Sequence, residues 1–305
     1  MSQHAPLAPS SAKQWKHCAG SPVMQSQFSP PPNLRTVGGT ASHWVGEQCL
    51  NVIKHGGQAK PEQWIGQVDP DGTVIDAEMA EGAAVWVEHC LALCKRYDVP
   101  LCDMQVEQKV HARAIHDHCY GTPDFWAYSH AYRCVLLSDY KYGHREVVAI
   151  DNEQLVCYLQ GILEALGFNG HDAQAVNFEC NVVQPFCYQR DSAVDTWRGM
   201  LTDIRGHVNQ LAYAAQKVFK NPLLTSGEHC RDCDARGRCP AARKANYALI
   251  DYVDHVLQID DMSLQELEAE RDVLQRGLAV LKTRAETIDD EIKHRLTSGG
   301  TCGLI

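Results

Sequence analysis

The chain has 305 residues, 45% hydrophobic and 22% charged, with a formal net charge of −10. That length supports one large domain or two of roughly 150 residues, and the absence of any run of about 18 apolar residues excludes a membrane-spanning helix. The N-terminus lacks the basic-then-apolar layout of a signal peptide, so the 14 cysteines are expected in a reducing cytoplasm, where clustered cysteines point to metal more than to disulfides.

In chain order, a short helix is expected over 10–18, then a Ser/Pro-rich loop, "GSPVMQSQFSPPPNLRTVGG", and a helix over 40–54. "EMAEGAAVWVEHCLALCKRYD" repeats its apolar residues at helical spacing. The period then shortens. "MQVEQKVHARAI", "PDFWAYS" and "RCVLLSDY" read as successive strands separated by turns. "NEQLVCYLQGILEALG" returns to helix, with Gly167 placed to cap its end. A strand over "AVNFECNVVQPF" and a long helix over "TWRGMLTDIRGHVNQLAYAAQKVF" follow. Two more helices are expected near 241–257 and 264–296. The order implies an α/β domain with a helical extension.

The last of these helices carries heptads. Leu264, Arg271, Leu278, Ala285 and Ile292 form one seam position; Leu267, Leu274, Leu281 and Ile288 form the other. Ser263 and Glu266 make a capping box at its start. Heptads do not identify a partner, so packing within the chain and a homo-oligomer both stay open.

Three charges interrupt segments that otherwise read as strands: Asp124, Asp139 and Lys141. Strand interiors rarely keep charges without a use for them. Asp139 and Lys141 are two apart and project to one face, while Asp124 opens the neighbouring strand. Converging carboxylates make a hard oxygen site suited to Mg²⁺ or Mn²⁺. A lysine beside them can orient water or stabilise charge developing on a phosphate. A structural Asp–Lys ion pair is the plainer account of the triplet by itself.

The flanking residues add to the first account. Pro123-Asp124 followed by Asp139-x-Lys141 resembles the PD-(D/E)XK nuclease superfamily. Gln154 and Tyr158, four apart on one helical face, resemble the Q-x-x-x-Y motif of its RecB-like branch. "GTASH" is similar to the G-x-x-x-H element whose histidine, here His43, is a metal ligand in that branch. Glu107 matches the glutamate often found on the first core strand, although an alternating strand can also expose a glutamate to solvent. The resemblance implies a restriction-endonuclease-like core, a central mixed sheet flanked by helices. In it His43, Asp124, Asp139 and the Tyr140 carbonyl would hold the metal, and Lys141 would position the attacking water. Glu107 would join the catalytic group, and Gln154 and Tyr158 would shape the substrate side.

"HCRDCDARGRC" holds Cys230, Cys233 and Cys239 in one loop. Three thiolates need a fourth ligand: zinc would accept His229 or a distant cysteine, and an iron–sulfur cluster usually takes four thiolates. Cys18, in "SSAKQWKHCAGS", resembles the N-terminal cysteine segment of phage and prophage members of the superfamily. In the iron–sulfur nucleases of the AddB and CRISPR-adaptation types, one N-terminal and three C-terminal cysteines hold a cluster. The resemblance thus implies a [4Fe-4S] cluster on Cys18, Cys230, Cys233 and Cys239, with zinc as the other occupant. Cys90 and Cys94, four apart on a helix, read as core residues.

The resemblance runs from about residue 10 to 243 and is closest to a phage-associated family of unassigned function. It implies a Mg²⁺- or Mn²⁺-dependent deoxyribonuclease, read as an exonuclease, acting on DNA in phage-type recombination, with a single-strand annealing protein as a natural partner. Residues 1–258 would form the nuclease domain and 259–305 the heptad helix and tail. The alternatives are a catalytically idle nuclease-fold protein kept for DNA binding or assembly, and a zinc-bearing regulatory protein.

Overall fold

The computed structural model describes residues 5–28, 34–168, 175–245 and 262–297. Two compact units divide the chain: Met1–Ala12 with Pro31–Tyr213, and Lys13–Pro30 with Ala214–Ile305. The domain boundary expected at 258 lies outside the described residues.

The first unit is built on a five-stranded mixed sheet of order β1-β4-β5-β6-β7. Its strands are β1 (Gln105–Val106), β4 (Phe125–Ser129), β5 (Cys134–Tyr140), β6 (Asn177–Val183) and β7 (Val194–Met200). Only β5 and β6 are parallel. The connection between them carries α5 (Glu153–Ala165), as a parallel pair requires a long crossover. All seven residues of β5 are buried, because it is a central strand with both faces covered. β2 (Val110–His111) and β3 (Tyr120–Gly121) form a separate two-stranded ribbon.

α3 (Leu34–Lys54) and α4 (Ala77–Arg96) cover one face of the sheet. Cys49 and Leu50 from α3, and Trp86, Cys90, Leu93 and Cys94 from α4, pack on Phe125, Leu136 and Tyr140. Cys90 and Cys94 are therefore core residues. The two helices approach closely at Gly46, where an added Cβ would stand 2.5 Å from the Trp86 ring. Asp76 caps α4 by accepting from the Met79 N–H at 2.8 Å. On β5, Ser138 accepts from the Trp86 indole at 3.1 Å, so even-numbered residues face α4. Asp139 consequently points to the α5 side.

The structure departs from the sequence reading in three places. After the expected first helix, α1 (Ala12–His17), a short helix, α2 (Ser21–Gln25), occupies part of the expected loop, and α3 begins inside it at Leu34. "MQVEQKVHARAI" does not make one strand: β1 and β2 are two residues each, and Glu107 between them has φ 49°. Residues 194–200, partly read as helix, form β7 in full register with β6 from Asn177↔Met200 to Val183↔Val194. The helix that follows, α6, is Arg205–Lys220.

In the second unit, α7 (Leu264–Thr297) begins with the expected capping box: the Ser263 N–H donates to Glu266 Oε2 at 2.8 Å and the Glu266 N–H to Ser263 Oγ at 3.3 Å. Of the helix expected over 241–257, residues 241–245 are helical and the rest lie outside the described residues. Among the described residues no helix is long and apolar enough to cross a membrane.

Candidate metal centre

Each side chain of the centre is delivered by a different element. His43 comes from α3, Glu107 from the break after β1, Asp124 from the residue before β4, Asp139 from the end of β5, and Gln154 from the first turn of α5. Ligand atoms of His43, Glu107 and Asp124 all lie within 4.8 Å of one another. The Glu107 N–H donates to the Asp124 carbonyl at 3.1 Å, and its left-handed backbone turns the side chain toward that aspartate.

Asp124 is braced from the sheet. The Tyr140 N–H donates to Asp124 Oδ2 at 2.7 Å, leaving Oδ1 3.8 Å from His43 Nδ1. The Tyr140 ring turns the other way, between His43 and Trp86, and its hydroxyl lies 2.8 Å from Ser42 Oγ. Asp139 has both oxygens engaged: Oδ2 stands 2.9 Å from Lys141 Nζ, and Oδ1 accepts from Gln154 Nε2 at 2.9 Å. Lys141 Nζ also donates to Gln154 Oε1 at 3.4 Å. Tyr158, one turn on from Gln154, is buried beside the same group.

The electrostatics are those of negative charge confined out of water. Burial pushes the Glu107 carboxyl up to about 8, with Asp124, Glu47 and Asp139 adding to the shift. Burial likewise raises Asp124 to about 6, against the opposing pull of Lys141 and the Tyr140 N–H. It also raises Asp139, which Asp124 pushes further up. Burial lowers His43 to about 4 and Lys141 lowers it further, so the imidazole is neutral and free to donate a lone pair. Burial alone would lower Lys141; Asp139 and Asp124 outweigh it and keep the ammonium charged. Crowded carboxylates with raised proton affinity, beside a neutral histidine, suit a divalent cation.

The structure brings His43, Glu107 and Asp124 together and sets Asp139, Lys141, Gln154 and Tyr158 beside them, so Asp139, expected as a ligand, is not one of the converging three. The tightest converging set holds Glu107 beside His43 and Asp124, with Asp139 tied to Lys141 and Gln154. Sequence reasoning gave no part to Glu47, whose nearby charge helps raise the proton affinity of Glu107, or to Ser42 and Trp86, which hold Tyr140.

Residues 4–300 match the family described as Protein of unknown function (DUF2800). The chain belongs to that family.

The DUF2800 chain carries its cysteine cluster within the second unit. The Thr225 N–H donates to Cys18 Sγ at 3.4 Å, and Cys230 Sγ lies 4.0 Å from the Thr225 carbonyl. Thr225 Oγ1 donates to the His17 carbonyl at 2.5 Å, and Gln14 Nε2 to that of Asp232 at 3.2 Å, which ties the Cys18 segment to the cysteine loop. Burial pushes the Cys233 thiol up to about 11, and the thiols of Cys230, Cys18 and Cys239 around it add to the shift. Burial would raise Cys18 too, but hydrogen bonds with His229 and Thr225 hold it below the usual thiol range. None of the described cysteines is in a disulfide.

Proposed function

We propose that this DUF2800 chain is a metal-dependent deoxyribonuclease of PD-(D/E)XK type, acting on DNA ends, with an iron–sulfur cluster in its second unit. The observation that carries the reading is the convergence of His43, Glu107 and Asp124 beside the Asp139–Lys141 pair. A plain structural ion pair would not need three further ligand groups crowded next to it.

His43, Glu107 and Asp124 would hold Mg²⁺ or Mn²⁺, with Asp139 and the Tyr140 carbonyl completing the set. The ion would supply Lewis-acid stabilisation of phosphate charge and lower the pKa of bound water. Lys141 orients the attacking water and offsets negative charge. Gln154 fixes both Lys141 and Asp139, so it is a positioning residue. Cys18, Cys230, Cys233 and Cys239 would hold the cluster, and the Thr225 N–H on Cys18 Sγ is a hydrogen bond that favours a thiolate.

The test is cleavage of end-labelled single- and double-stranded DNA with and without Mn²⁺. Mn²⁺-dependent loss of label, abolished in Asp124→Ala, is the expected result. Intact DNA under both Mg²⁺ and Mn²⁺ would favour an idle nuclease fold kept for binding or assembly. One observation supports an assembly role in either case. The α7 seam residues Leu274, Leu278, Leu281, Ile288 and Ile292 are exposed, which fits pairing with a second copy.

A further inference from the structure

The parallel pairing of β5 and β6 places their carboxyl ends side by side, and the ladder continues past them: the Lys141 N–H donates to the Val183 carbonyl at 2.9 Å. Two loops leave from this edge. The one after β5 carries Tyr142 and His144; the one after β6 carries Phe186 and Tyr188. Their rings interleave. Tyr142 meets Phe186 edge-on at 5.3 Å, and His144 lies parallel to Tyr188 at 4.7 Å and 16°.

This arrangement is fixed from below. Gln184, only 1% exposed, donates from Nε2 to the Gly143 and Arg145 carbonyls, at 2.5 and 2.6 Å, and so clamps the backbone on either side of His144. His144 Nδ1 lies 2.8 Å from the Phe186 carbonyl, which sets the plane of the imidazole. Tyr188, by contrast, is 81% exposed. A lone exposed tyrosine needs no explanation. Here the ring rests on a second ring held by a buried clamp, so its outer face is open and its orientation is already set.

We propose that Tyr188, backed by His144, is a stacking platform for unpaired bases at the single-stranded end of a DNA substrate. The proposal rests on the nuclease reading for the identity of that substrate. A flat aromatic face of this area suits a flat aromatic guest, and nucleobases stack on such rings whatever their sequence. Bases inside a duplex are already stacked and do not reach it. The platform is connected to the metal centre: Tyr142 follows Lys141 directly, and its ring packs on α3 at Gly38, where an added Cβ would stand 3.3 Å away. A strand whose terminal phosphates lie at the centre would set its next bases down on this row.

The test uses full-length protein without divalent cation and two fluorescent oligomers of equal length, oligo-dT and an abasic chain with the same phosphates. Anisotropy should show the wild type binding oligo-dT more tightly than the abasic chain. Tyr188→Ala should weaken oligo-dT binding about 5- to 150-fold, the equivalent of losing one stacked base, and leave abasic binding unchanged. Tyr188→Phe should bind as wild type, since stacking does not use the hydroxyl, and His144→Ala should show a smaller loss. The platform is overturned by undiminished oligo-dT binding in Tyr188→Ala, by an equal loss for both oligomers, or by no wild-type binding. Tighter binding of oligo-rU than oligo-dT would overturn the DNA assignment. Because no cleavage is required, the two readings fail separately. Wild type inert in Mn²⁺ but Tyr188-dependent in binding removes the nuclease and keeps the platform; active protein with indifferent Tyr188→Ala does the reverse.

Discussion

Gln154 donates to Asp139 Oδ1 at 2.9 Å and accepts from Lys141 Nζ at 3.4 Å, so one amide on α5 holds both charged groups at the end of β5. The arrangement depends on the cap beneath it, where Asn152 Oδ1 accepts from the Gln154 N–H at 3.0 Å. Gln154→Leu keeps the size of the side chain and removes the amide. Cleavage should fall about 10- to 100-fold, the usual cost of losing an orienting partner, while the melting temperature stays within a few degrees. Full activity in the folded variant would leave Gln154 without a part in the site.

Ligands and nucleophile-orienting groups should separate in a metal titration. Asp124→Ala and Glu107→Ala each remove an oxygen ligand from the converging set, and calorimetry should show Mn²⁺ binding lost or greatly weakened. Lys141→Ala should keep Mn²⁺ binding yet lose about a hundredfold or more in cleavage rate. Asp139→Ala should abolish cleavage. An equal loss of Mn²⁺ affinity in Lys141→Ala and Asp124→Ala would contradict these roles.

The raised carboxyls make the metal effect depend on pH. Without metal, folded Glu107 and Asp124 keep protons, up to about 8 and 6, that the unfolded chain sheds near 4. Their contribution to stability therefore declines as pH rises through that window. His43 acts in the opposite sense: held down at about 4, it costs stability as pH falls from about 6.5, where the unfolded histidine gains a proton. Metal binding must displace the carboxyl protons, so it tightens as pH rises. The increase in Tm produced by Mn²⁺ should be larger at pH 8 than at pH 6 in scanning calorimetry. An increase that does not change with pH would remove Glu107 from the ligand set.

Much of this centre was legible because its chemistry is written in residue types that strands seldom carry. Asp124, Asp139 and Lys141 stood out against apolar neighbours, and the β5 alternation placed Asp139 and Lys141 on one face. Glu107 was legible only as a residue type. Its position depends on a left-handed backbone after Val106, and reading the segment as one strand hid that break. β7 was missed for another reason: "VDTWRGM" has little strand signal of its own and is made a strand by pairing with β6. The Tyr188–His144 stack and the Gln184 clamp join loops about forty residues apart, and nothing local announces them.

The C-terminal helix should govern assembly more than chemistry. Its contacts within the second unit use the flank opposite the seam: Arg236 pairs with Asp290 at 2.7 Å and Arg231 with Glu286 at 3.9 Å. Leu274 and Leu281 remain about two-fifths exposed. Changing both to Glu should lower the mass measured by light scattering and leave cleavage per chain unchanged. An unchanged mass would defeat self-association through this seam.

The cysteine cluster joins the two sequence segments of its unit. Cys18 precedes Cys230 by roughly two hundred residues, and a shared centre would close that whole stretch into a loop. Closing a long loop removes disorder from the unfolded chain, though the cost grows only slowly with length. Metal binding at a site absent from the unfolded chain becomes folding free energy. Anaerobically purified protein should therefore be brown and carry iron and acid-labile sulfide. Cys18→Ser should lose the colour and melt at a lower temperature, although no proposed catalytic group is near it in sequence. Colourless anaerobic protein with one tightly held zinc would overturn the iron–sulfur assignment and leave the nuclease centre standing. Full colour in Cys18→Ser would point to His229 or another cysteine as the fourth ligand. Loss of colour on adding His229→Ala in the Cys18→Ser background would then single out the histidine, and retained colour another cysteine.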